Sequence, residues 1–339
     1  MFVKSVWMHP SDLGTSDGQL DSVFSRLAKH GFSKIFLFVK MDDGTVTFRT
    51  KNPDVQFTMT DWSGDPLEKA VEVAHNYNIE MHPTFVVFCE GIWKDWGVPS
   101  QPGAWLSKNL QLVQYDKKGE PILRWADPAK REVRKHESEI MIEVASNYDI
   151  DGIQLDYIRY PEDAEGCFCD HCRMTFKGLF GVDPREIAQL DENMSKWIQW
   201  RAENITGFVR DLRRDMKKTN PKAELSAAVF KDYPRCLMHL GQDWPKWVEE
   251  GIVDFLCPMT YEYDLRVARY HARNHRAAVG KNALLYEGLG KASSQSKLSP
   301  REVLAQATAF REEGANGITV FSHGSLTDDD LGGLDKLEG

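Results

Sequence analysis

Apolar strand-like runs alternate with amphipathic helical segments along the chain. Strands are predicted at residues 2–8, 34–39, 79–88, 153–156, 225–230, 253–259, 283–286 and 317–321. Apolar residues recur at helical spacing in segments 17–30, 65–77, 127–147, 191–218, 242–250, 265–278 and 328–337, and further helices open near Pro184 and Ser299. Eight strands with helices between them are typical of an α/β protein of the (β/α)8 TIM barrel type. We therefore predict a single barrel domain over residues 1–339.

Two predicted helices carry a local start signal. Asp65 precedes Pro66, and Ser299 precedes Pro300 with Glu302 in the first turn. A side-chain oxygen at the N-cap accepts a backbone N–H of that turn, and proline is favoured at the first helical position. These residues therefore predict where the two helices begin.

The connection after the third predicted strand is long and rich in tryptophan. Segment 91–127 contains Trp93, Trp96, Trp105 and Trp125. Loops of this length are usually functional or disordered, and four indoles argue against disorder. We expect the segment to cover the C-terminal end of the barrel, where TIM barrels have their active sites.

A cysteine-rich insert follows the fourth predicted strand. Cys167, Cys169 and Cys172 are close enough in sequence to bind one metal ion, with His171 or Cys236 as the fourth ligand, and structural zinc would be the expected metal. Structural zinc usually draws on two separated ligand pairs, so a disulfide within the insert or simply packed thiols are open alternatives. Six cysteines in all are too few for a disulfide scaffold.

The composition narrows the class of partner. A formal net charge of −9 disfavours nucleic acid, whose phosphates require a basic surface. Ten Trp and ten Tyr residues supply flat rings that stack well on sugars, so a carbohydrate ligand fits better. No apolar run approaches the roughly 18 residues that a membrane span requires. The oligomeric state is not determined by these features.

The first residues predict a strand and not a leader peptide. Residues 1–7 lack the basic start, apolar stretch and small-residue cleavage site of a secretory signal. We therefore expect either a protein that works inside the cell or the mature form of an exported one.

The predicted strand ends bring polar side chains to one end of the barrel. They are His9, Glu90, Asp156, Arg159, Asp232, Glu262, Asp264, Glu287 and His323. Glycoside hydrolysis uses two carboxyl groups, about 5 Å apart for retention and roughly 6.5 to 9.5 Å apart for inversion. Like charges in a cleft raise some carboxyl pKa values, so that an acid and a base coexist near neutral pH. We therefore predict carboxylate chemistry at this end.

Other catalytic chemistries find less support. His9, His82 and His323 lie on separate predicted strands, with no His-x-His pair and no His-Glu-x-x-His helix, so a metal-dependent hydrolase is a weaker hypothesis. A Gly-x-Ser-x-Gly nucleophile elbow is also absent. No cofactor is therefore required by the predicted reaction.

Three motifs, in order along the chain, resemble those of the glycosyl-hydrolase-like family 10 barrels. They are residues 151–161 (DGIQLDYIRYP), 241–247 (GQDWPKW) and 253–261 (VDFLCPMTY). The cysteine-rich insert, residues 229–234 (VFKDYP) and residues 288–290 (GLG) are similar to that family as well. The resemblance covers the chain from about Trp105 to its C-terminus, and the first hundred residues fit more loosely.

The resemblance implies a TIM barrel that acts on a polysaccharide, commonly outside the cytoplasm of bacteria, with one member type linked to peptidoglycan strands stripped of peptides. It implies that Asp156 is the strand-4 aspartate, the best candidate for catalysis, with sugar-site neighbours at Tyr157, Arg159, Tyr160 and Tyr261. This chain has Glu287 where the family usually has proline before the strand-7 glycine turn, and Thr260 where it often has Asn or Asp before Tyr261. We therefore expect a substrate that differs from that of the commoner members.

We predict Asp156 as acid/base and Glu287 as the second carboxylate, because some glycosidases keep their two carboxylates on strands 4 and 7. Asp232, Glu262 and Asp264 are close rivals, since the α-amylase class pairs a strand-4 nucleophile with an acid on strand 5. Further expected substrate contacts are His9, His82, Trp93 and His323. The leading hypothesis is a glycoside hydrolase for a poly- or oligosaccharide, and the alternative is a carbohydrate-binding barrel without catalysis.

Overall fold

The computed structural model describes residues 2–92, 100–162 and 164–338, which include a closed barrel of eight parallel strands. The barrel strands are β1 (Val3–Met8), β2 (Phe32–Lys40), β3 (Glu80–Val86), β4 (Gly152–Asp156), β5 (Glu224–Phe230), β6 (Phe255–Met259), β7 (Leu284–Gly290) and β8 (Gly317–Phe321). Each strand pairs with its neighbours in sequence, and β8 closes the barrel on β1 with Phe321 beside Trp7. The TIM barrel prediction is confirmed.

Helices connect the strands around the outside. They are α1 (Asp17–Lys29), α2 (Pro66–Asn76), α3 (Ala104–Ser107), α4 (Arg131–Asn147), α5 (Asp170–Phe180), α6 (Met194–Thr219), α7 (Arg235–Leu240), α8 (Trp244–Glu249), α9 (Leu265–Val279), α10 (Pro300–Glu312) and α11 (Asp328–Leu334). Both predicted start signals are confirmed. Asp65 Oδ1 accepts the backbone N–H of Leu67 at 2.9 Å, and Ser299 and Glu302 form a reciprocal capping box.

The sequence prediction missed the three helices α3, α5 and α7, and it misplaced the start of α4. Helix α3 has only four residues and lies in the segment that was predicted as a loop. Helix α7 has only six residues, too few for a helical period. In α5 the large apolar residues Met174 and Leu179 are exposed, so the apolar pattern does not mark one inward face. Helix α4 begins at Arg131 and not at 127, because Asp127 belongs to the turn before it.

The long connection between β3 and α4 contains two short antiparallel strand pairs. Gly91–Ile92 pairs with Gln101–Pro102, and Val113–Tyr115 pairs with Pro121–Ala126. The segment is therefore folded against the barrel over its described part, as the prediction of an ordered loop required.

Aromatic and small polar side chains fill the inside of the barrel. Trp7 donates its Nε1–H to Gln154 Oε1 at 2.5 Å, and Phe36 packs on Trp7 and on Phe255 with ring centroids about 6 Å apart. The centre is a packed core and not a pore. Within the described ranges, none of the helices combines the length and apolarity that crossing a bilayer requires.

Candidate active site

A cavity of about 740 Å³ opens at the C-terminal ends of the barrel strands. Its aromatic side chains are Trp7, Phe38, Tyr157, Phe230, Tyr261 and Phe321, its carboxylates are Asp42, Asp156, Glu162, Asp232 and Glu262, and its basic side chains are His9, Arg159, Lys231, Arg235 and His239. Its size lies within the roughly 300 to 1,000 Å³ of ligand pockets. Seven predicted site residues therefore meet in one cavity at the C-terminal end of the barrel, and they are His9, Asp156, Tyr157, Arg159, Asp232, Tyr261 and Glu262.

Asp156 lies where β4 ends and lines the cavity. The next residue, Tyr157, has a left-handed backbone with φ of +50°, and its N–H donates to Asp156 Oδ1 at 2.7 Å. Such strained residues cluster at active sites. Burial raises the pKa of Asp156 from 3.8 to about 6, although this hydrogen bond and the charge of Arg159 act in the opposite direction. Asp156 can therefore hold a proton close to neutral pH.

Arg159 is held in a cage of aromatic rings beside Asp156. Its guanidinium lies 4.7 Å from the ring centre of Tyr157, 4.8 Å from that of Phe230 and 5.1 Å from that of Trp125. The Nη1 atom donates to the backbone oxygen of Tyr160 at 3.2 Å. These cation–π contacts fix the cation in the wall of the cavity.

A second charged group lies between the ends of β5 and β6. Lys231 Nζ is 2.8 Å from Glu262 Oε1, and it also donates to the backbone oxygen of Tyr261 at 2.9 Å. His271 of α9 lies between two carboxylates, 3.7 Å from Asp232 Oδ1 and 3.6 Å from Glu262 Oε1. Asp232 and Glu262, the two rivals predicted for these strands, are thus brought together in the cavity wall.

Asp42 is a cavity residue that sequence reasoning missed. It lies two residues after β2, and burial together with the charge of Asp43 raises its pKa. Burial raises the pKa of Tyr157 to about 12, and the charges of Asp156 and Asp42 both contribute. Asp42 and Asp156 therefore lie near the same phenol. The sequence feature that could have indicated Asp42 is the pair of acidic residues 42–43, which comes directly after an apolar strand.

The aromatic wall contains predicted and unpredicted rings. His9 stacks on Phe38 with ring centroids 5.1 Å apart, and Tyr261 packs on Phe321 at 5.6 Å. Trp7 also lines the cavity but was read only as a strand residue. Successive side chains of β1 point alternately to the inside and the outside of the barrel. This alternation could have indicated that the side chain of Trp7 faces the barrel interior.

Glu287 does not lie where the prediction put it. Its fully buried side chain accepts a hydrogen bond from Thr260 Oγ1 at 2.7 Å and lies 3.0 Å from His275 Nδ1 of α9. On β7 the next residue, Gly288, is the one directed at Trp7 inside the barrel, so Glu287 points outward to the helices. The geometry contradicts its assignment to the cavity as second carboxylate.

Glu90 is also buried and outside the cavity. Its carboxylate lies 2.5 Å from Lys40 Nζ, in a group that also contains Glu137. The last residue of β3, Val86, lines the cavity, but Glu90 lies four residues further along the chain and is held in this ionic group instead.

His82 lies at the opposite end of the barrel from the cavity. It is the third residue of β3, its Nε2 is 3.3 Å from Glu80 Oε2, and it packs beside Lys34. Burial lowers the pKa of His82. This position contradicts the prediction that His82 contacts the substrate, because the substrate end is formed by the last residues of each strand.

Three further predicted contacts lie outside the cavity lining. Tyr160 is fully buried, with its hydroxyl 3.4 Å from Asn204 Nδ2, and it supports the wall from behind. Asp264 caps α9 and pairs with exposed Arg266 at 2.6 Å. His323 Nδ1 lies 3.5 Å from Asp12 Oδ1. These three side chains therefore do not line the cavity, although their backbones lie at or beyond strand ends.

The two described tryptophans of the long loop, Trp105 and Trp125, contribute to its core and not to the cavity lining. Trp105 stacks on His136 with ring centroids 3.7 Å apart, and Trp125 is 1% exposed beneath Arg159. Trp93 and Trp96 lie outside the described residues. Among the described residues of the loop, the sugar-stacking role predicted for the indoles is therefore not supported.

The three cysteines of the insert converge on Asp127. Their Sγ atoms lie 3.3 Å (Cys167), 3.3 Å (Cys169) and 3.1 Å (Cys172) from Asp127 Oδ2. Neither predicted fourth ligand joins them, since His171 is exposed and Cys236 donates to the backbone oxygen of Gln242. All six cysteines are free thiols. The cluster is thus a group of three thiols and one carboxylate that together could bind a metal.

A family model described as glycosyl hydrolase-like 10 matches residues 3–290. The glycosyl hydrolase DigH of Escherichia coli K12 is 24% identical over 272 residues, which cover 72% of this chain and 58% of that protein. An S-layer-related protein of Niallia circulans is 23% identical over 214 residues, which cover 52% of this chain and 13% of that protein. The chain thus spans less than two thirds of the length of each relative.

Solved structures of similar fold are barrels from carbohydrate-active proteins. The glycoside hydrolase domain of PgaB (BpsB) from Bordetella bronchiseptica superimposes with a TM-score of 0.72 at 13% identity, covering 98% of this chain and 96% of that one. The catalytic domain of β-amylase from Paenibacillus polymyxa gives a TM-score of 0.68 at 12% identity, covering 99% and 97%. At these identities the likeness establishes the fold.

Proposed function

Because the chain belongs to the glycosyl hydrolase-like family 10, we propose that it hydrolyses glycosidic bonds of a poly- or oligosaccharide through a pair of carboxyl groups. The observation that carries the proposal is Asp156, a carboxyl group with a pKa raised to about 6 in the lining of an aromatic-walled cavity of about 740 Å³. A carboxylic acid of this kind can protonate the oxygen of a leaving sugar near neutral pH.

We assign Asp156 the role of general acid/base. The backbone N–H of Tyr157 donates a hydrogen bond to one oxygen of the Asp156 carboxyl group at 2.7 Å and so fixes its orientation. The other oxygen is then available to carry a proton or to contact a substrate oxygen. Positioned proton transfer of this kind contributes about 10² to 10⁴ in rate.

We infer that Glu262 is the second carboxylate. It lines the same cavity, its side chain is 23% exposed, and Lys231 supplies a cationic partner at 2.8 Å. Asp232, Asp42 and Glu162 are the other carboxylates in the cavity that compete for this role. Whether Glu262 acts as nucleophile or as base follows from the anomeric configuration of the product.

The substrate proposed for this cavity is a carbohydrate chain. Tyr157, Tyr261, His9 and Phe38 offer ring faces or edges for sugar contacts, and Arg159 offers guanidinium N–H groups for hydroxyl oxygens. The proposed reaction uses protein carboxyl groups and water, so it requires no cofactor.

The test is a reducing-sugar assay over a broad glycan panel with matched variants. Asp156→Asn should lower kcat/KM at least about 100-fold, and Glu262→Gln should lose a similar factor, while Asp232→Asn and Asp42→Asn lose less. Asp264→Asn is the control, because that carboxylate lies outside the cavity lining and Asn can still cap the helix.

Two further measurements assign the acid. An aryl glycoside whose phenolate is weakly basic can lose that leaving group without protonation by the enzyme. Asp156→Asn should therefore retain a larger fraction of wild-type activity on such a substrate than on the natural glycan. In wild type, kcat/KM should fall as pH rises through about 6, because the acid must carry its proton. Equal release by wild type and Asp156→Asn would refute the assignment, and glycan binding without turnover would support the carbohydrate-binding alternative.

A further inference from the structure

Four buried donor atoms meet between the long loop after β3 and the insert after β4. Asp127, Cys167, Cys169 and Cys172 are at most 7% exposed, and their ligand atoms all lie within 4.8 Å of one another. A single carboxylate oxygen, Asp127 Oδ2, faces all three sulfurs. The other oxygen, Oδ1, accepts the backbone N–H of Ala129 at 3.0 Å, which fixes the orientation of the carboxylate.

We propose that these four residues bind one structural zinc ion. Zinc in proteins is tetrahedral, with bonds of about 2.3 Å to sulfur and about 2.0 Å to a carboxylate oxygen, which places sulfur and oxygen ligands about 3.5 Å apart. The three observed sulfur–oxygen distances are 3.1 to 3.3 Å. The donors therefore need to separate by only a few tenths of an ångström to admit the ion.

The donor set determines the kind of metal and the kind of site. Thiolates select soft or borderline ions such as Zn²⁺ over Mg²⁺ and Ca²⁺. Two sulfurs on one tetrahedral zinc ion lie about 3.8 Å apart, which is inside the 4.8 Å that bounds all the ligand atoms of this cluster. Four protein ligands leave no open position for water or substrate. The site is therefore structural, and it does not depend on the proposed function.

The ion would join the two connections that support the cavity wall. Asp127 follows Trp125, whose ring lies under the Arg159 guanidinium at 5.1 Å. The cysteines precede or begin α5 in the next connection along the chain. The two loops are also joined here by the backbone N–H of Phe168, which donates to the oxygen of Tyr115 at 2.8 Å. Zinc would add a metal cross-link to these contacts and so hold Trp125 and Arg159 in place.

The experiment measures metal in the full chain, purified under reducing conditions from zinc-supplemented cells. Mass spectrometry of the metal should find about one zinc per wild-type chain. Cys172→Ser and Asp127→Asn should each lose most of it. Cys257→Ser is the matched control, because Cys257 is an equally buried thiol outside the cluster, in contact with Gln154 and Thr319, and it should keep full zinc.

Cobalt provides a second readout on wild type alone, in case the variants do not fold. Apoprotein reconstituted with Co²⁺ should show intense thiolate-to-metal charge-transfer absorption and the visible bands of a tetrahedral site, and a chelator should lower the Tm of wild type. Wild type that holds no zinc and gives no such cobalt spectrum would overturn the proposal, as would Cys172→Ser with undiminished zinc. Fewer than six titratable thiols in unreduced, denatured, zinc-free protein would indicate a disulfide instead.

Discussion

Asp156 and Glu287 show how the surroundings of a carboxyl group determine its properties. Among the residues that the structure describes, no cationic side chain is hydrogen-bonded to Asp156, and burial raises its pKa to about 6. Glu287 lies 3.0 Å from His275, whose other nitrogen donates to the backbone oxygen of Lys231 at 2.7 Å. Burial opposes the charge on His275, but the charge and hydrogen bond of Glu287 outweigh it and raise the pKa of His275. Pairing with His275 and Thr260 therefore gives Glu287 a structural environment, whereas the environment of Asp156 is compatible with the proton transfer proposed for it.

The raised pKa of Asp156 predicts a gain in stability when the charge is removed. Since the folded pKa of about 6 exceeds the ordinary value of 3.8, the ionised carboxylate destabilises the fold, and this cost grows as pH rises from about 4 to above 6. Asp156→Asn should raise the free energy of unfolding by about 2 kcal/mol at pH 7, after allowance for exposure to the cavity, and by under about 1 kcal/mol at pH 4.

Urea unfolding of wild type and Asp156→Asn at the two pH values is the measurement. Asn keeps the oxygen that accepts the N–H of Tyr157, so the comparison isolates the charge. A variant that is less stable than wild type at pH 7 would contradict the predicted cost of burying this carboxylate.

At the scale of elements, a buried ionic group anchors the end of β2 to the loop after β3 and to α4. Lys40 Nζ lies 2.5 Å from Glu90 Oε1 and 3.2 Å from Glu137 Oε2, and it donates to the backbone oxygen of Val86 at 2.7 Å. Burial opposes the charge on Lys40, but Glu137 and Glu90 raise its pKa. Burial raises the pKa of Glu137 well above its ordinary value, and the charge of Glu90 adds to this.

Removing the cation should cost far more than neutralising Glu137. Lys40→Met leaves two buried carboxyl groups without their partner and should lower the free energy of unfolding by about 3 kcal/mol or more. Glu137→Gln should cost under about 1 kcal/mol, because the raised pKa favours the protonated form that Gln resembles. Chemical denaturation at pH 7 measures the free energy of unfolding of both variants. Equal decreases in the two variants would contradict the inference that Lys40 carries a charge while Glu137 favours its protonated form.

The elements differ in how far the sequence predicted them. The starts of α2 and α10 followed from Asp65 and from Ser299 with Glu302, because a cap depends on residues within one turn. The orientation of the Glu287 side chain could not be predicted in this way, because it depends on the register of β7 against its neighbours and on a histidine of α9. Asp42 was missed because a loop carboxylate after β2 has no periodic pattern that would place it over the barrel mouth.

Across the whole molecule, the two ends of the barrel have different tasks. The cavity lies at the C-terminal strand ends, while Lys34, Glu80, His82 and Glu224 form an ionic group near the N-terminal ends. Lys34 Nζ lies 3.1 Å from Glu224 Oε2 and also pairs with Glu80. In TIM barrels the N-terminal end of the strands generally serves stability, whereas active sites lie at the C-terminal end.

This division predicts that a change at His82 affects stability without affecting the substrate. His82→Gln should lower the Tm, because a fully buried ring is lost, while KM and kcat on a cleaved glycan stay within about twofold of wild type. Arg159→Lys at the cavity is the contrast and should raise KM, because lysine lacks the planar guanidinium that stacks on three rings. A His82→Gln variant with unchanged Tm and a tenfold higher KM would refute the inference that the His82 end of the barrel serves stability and the cavity end contacts the substrate.

The amino-acid sequence by itself determined the barrel and the position of Asp156 at its working end. Hydrophobic periodicity and strand alternation are local properties, and a strand that ends in DYIRYP brings its polar residues to the same end wherever it lies in the barrel. Only the tertiary structure decided which carboxylates share the cavity and which residue completes the cysteine cluster. Asp42, Glu262 and Asp127 meet their partners across tens of residues, through packing that no local pattern encodes.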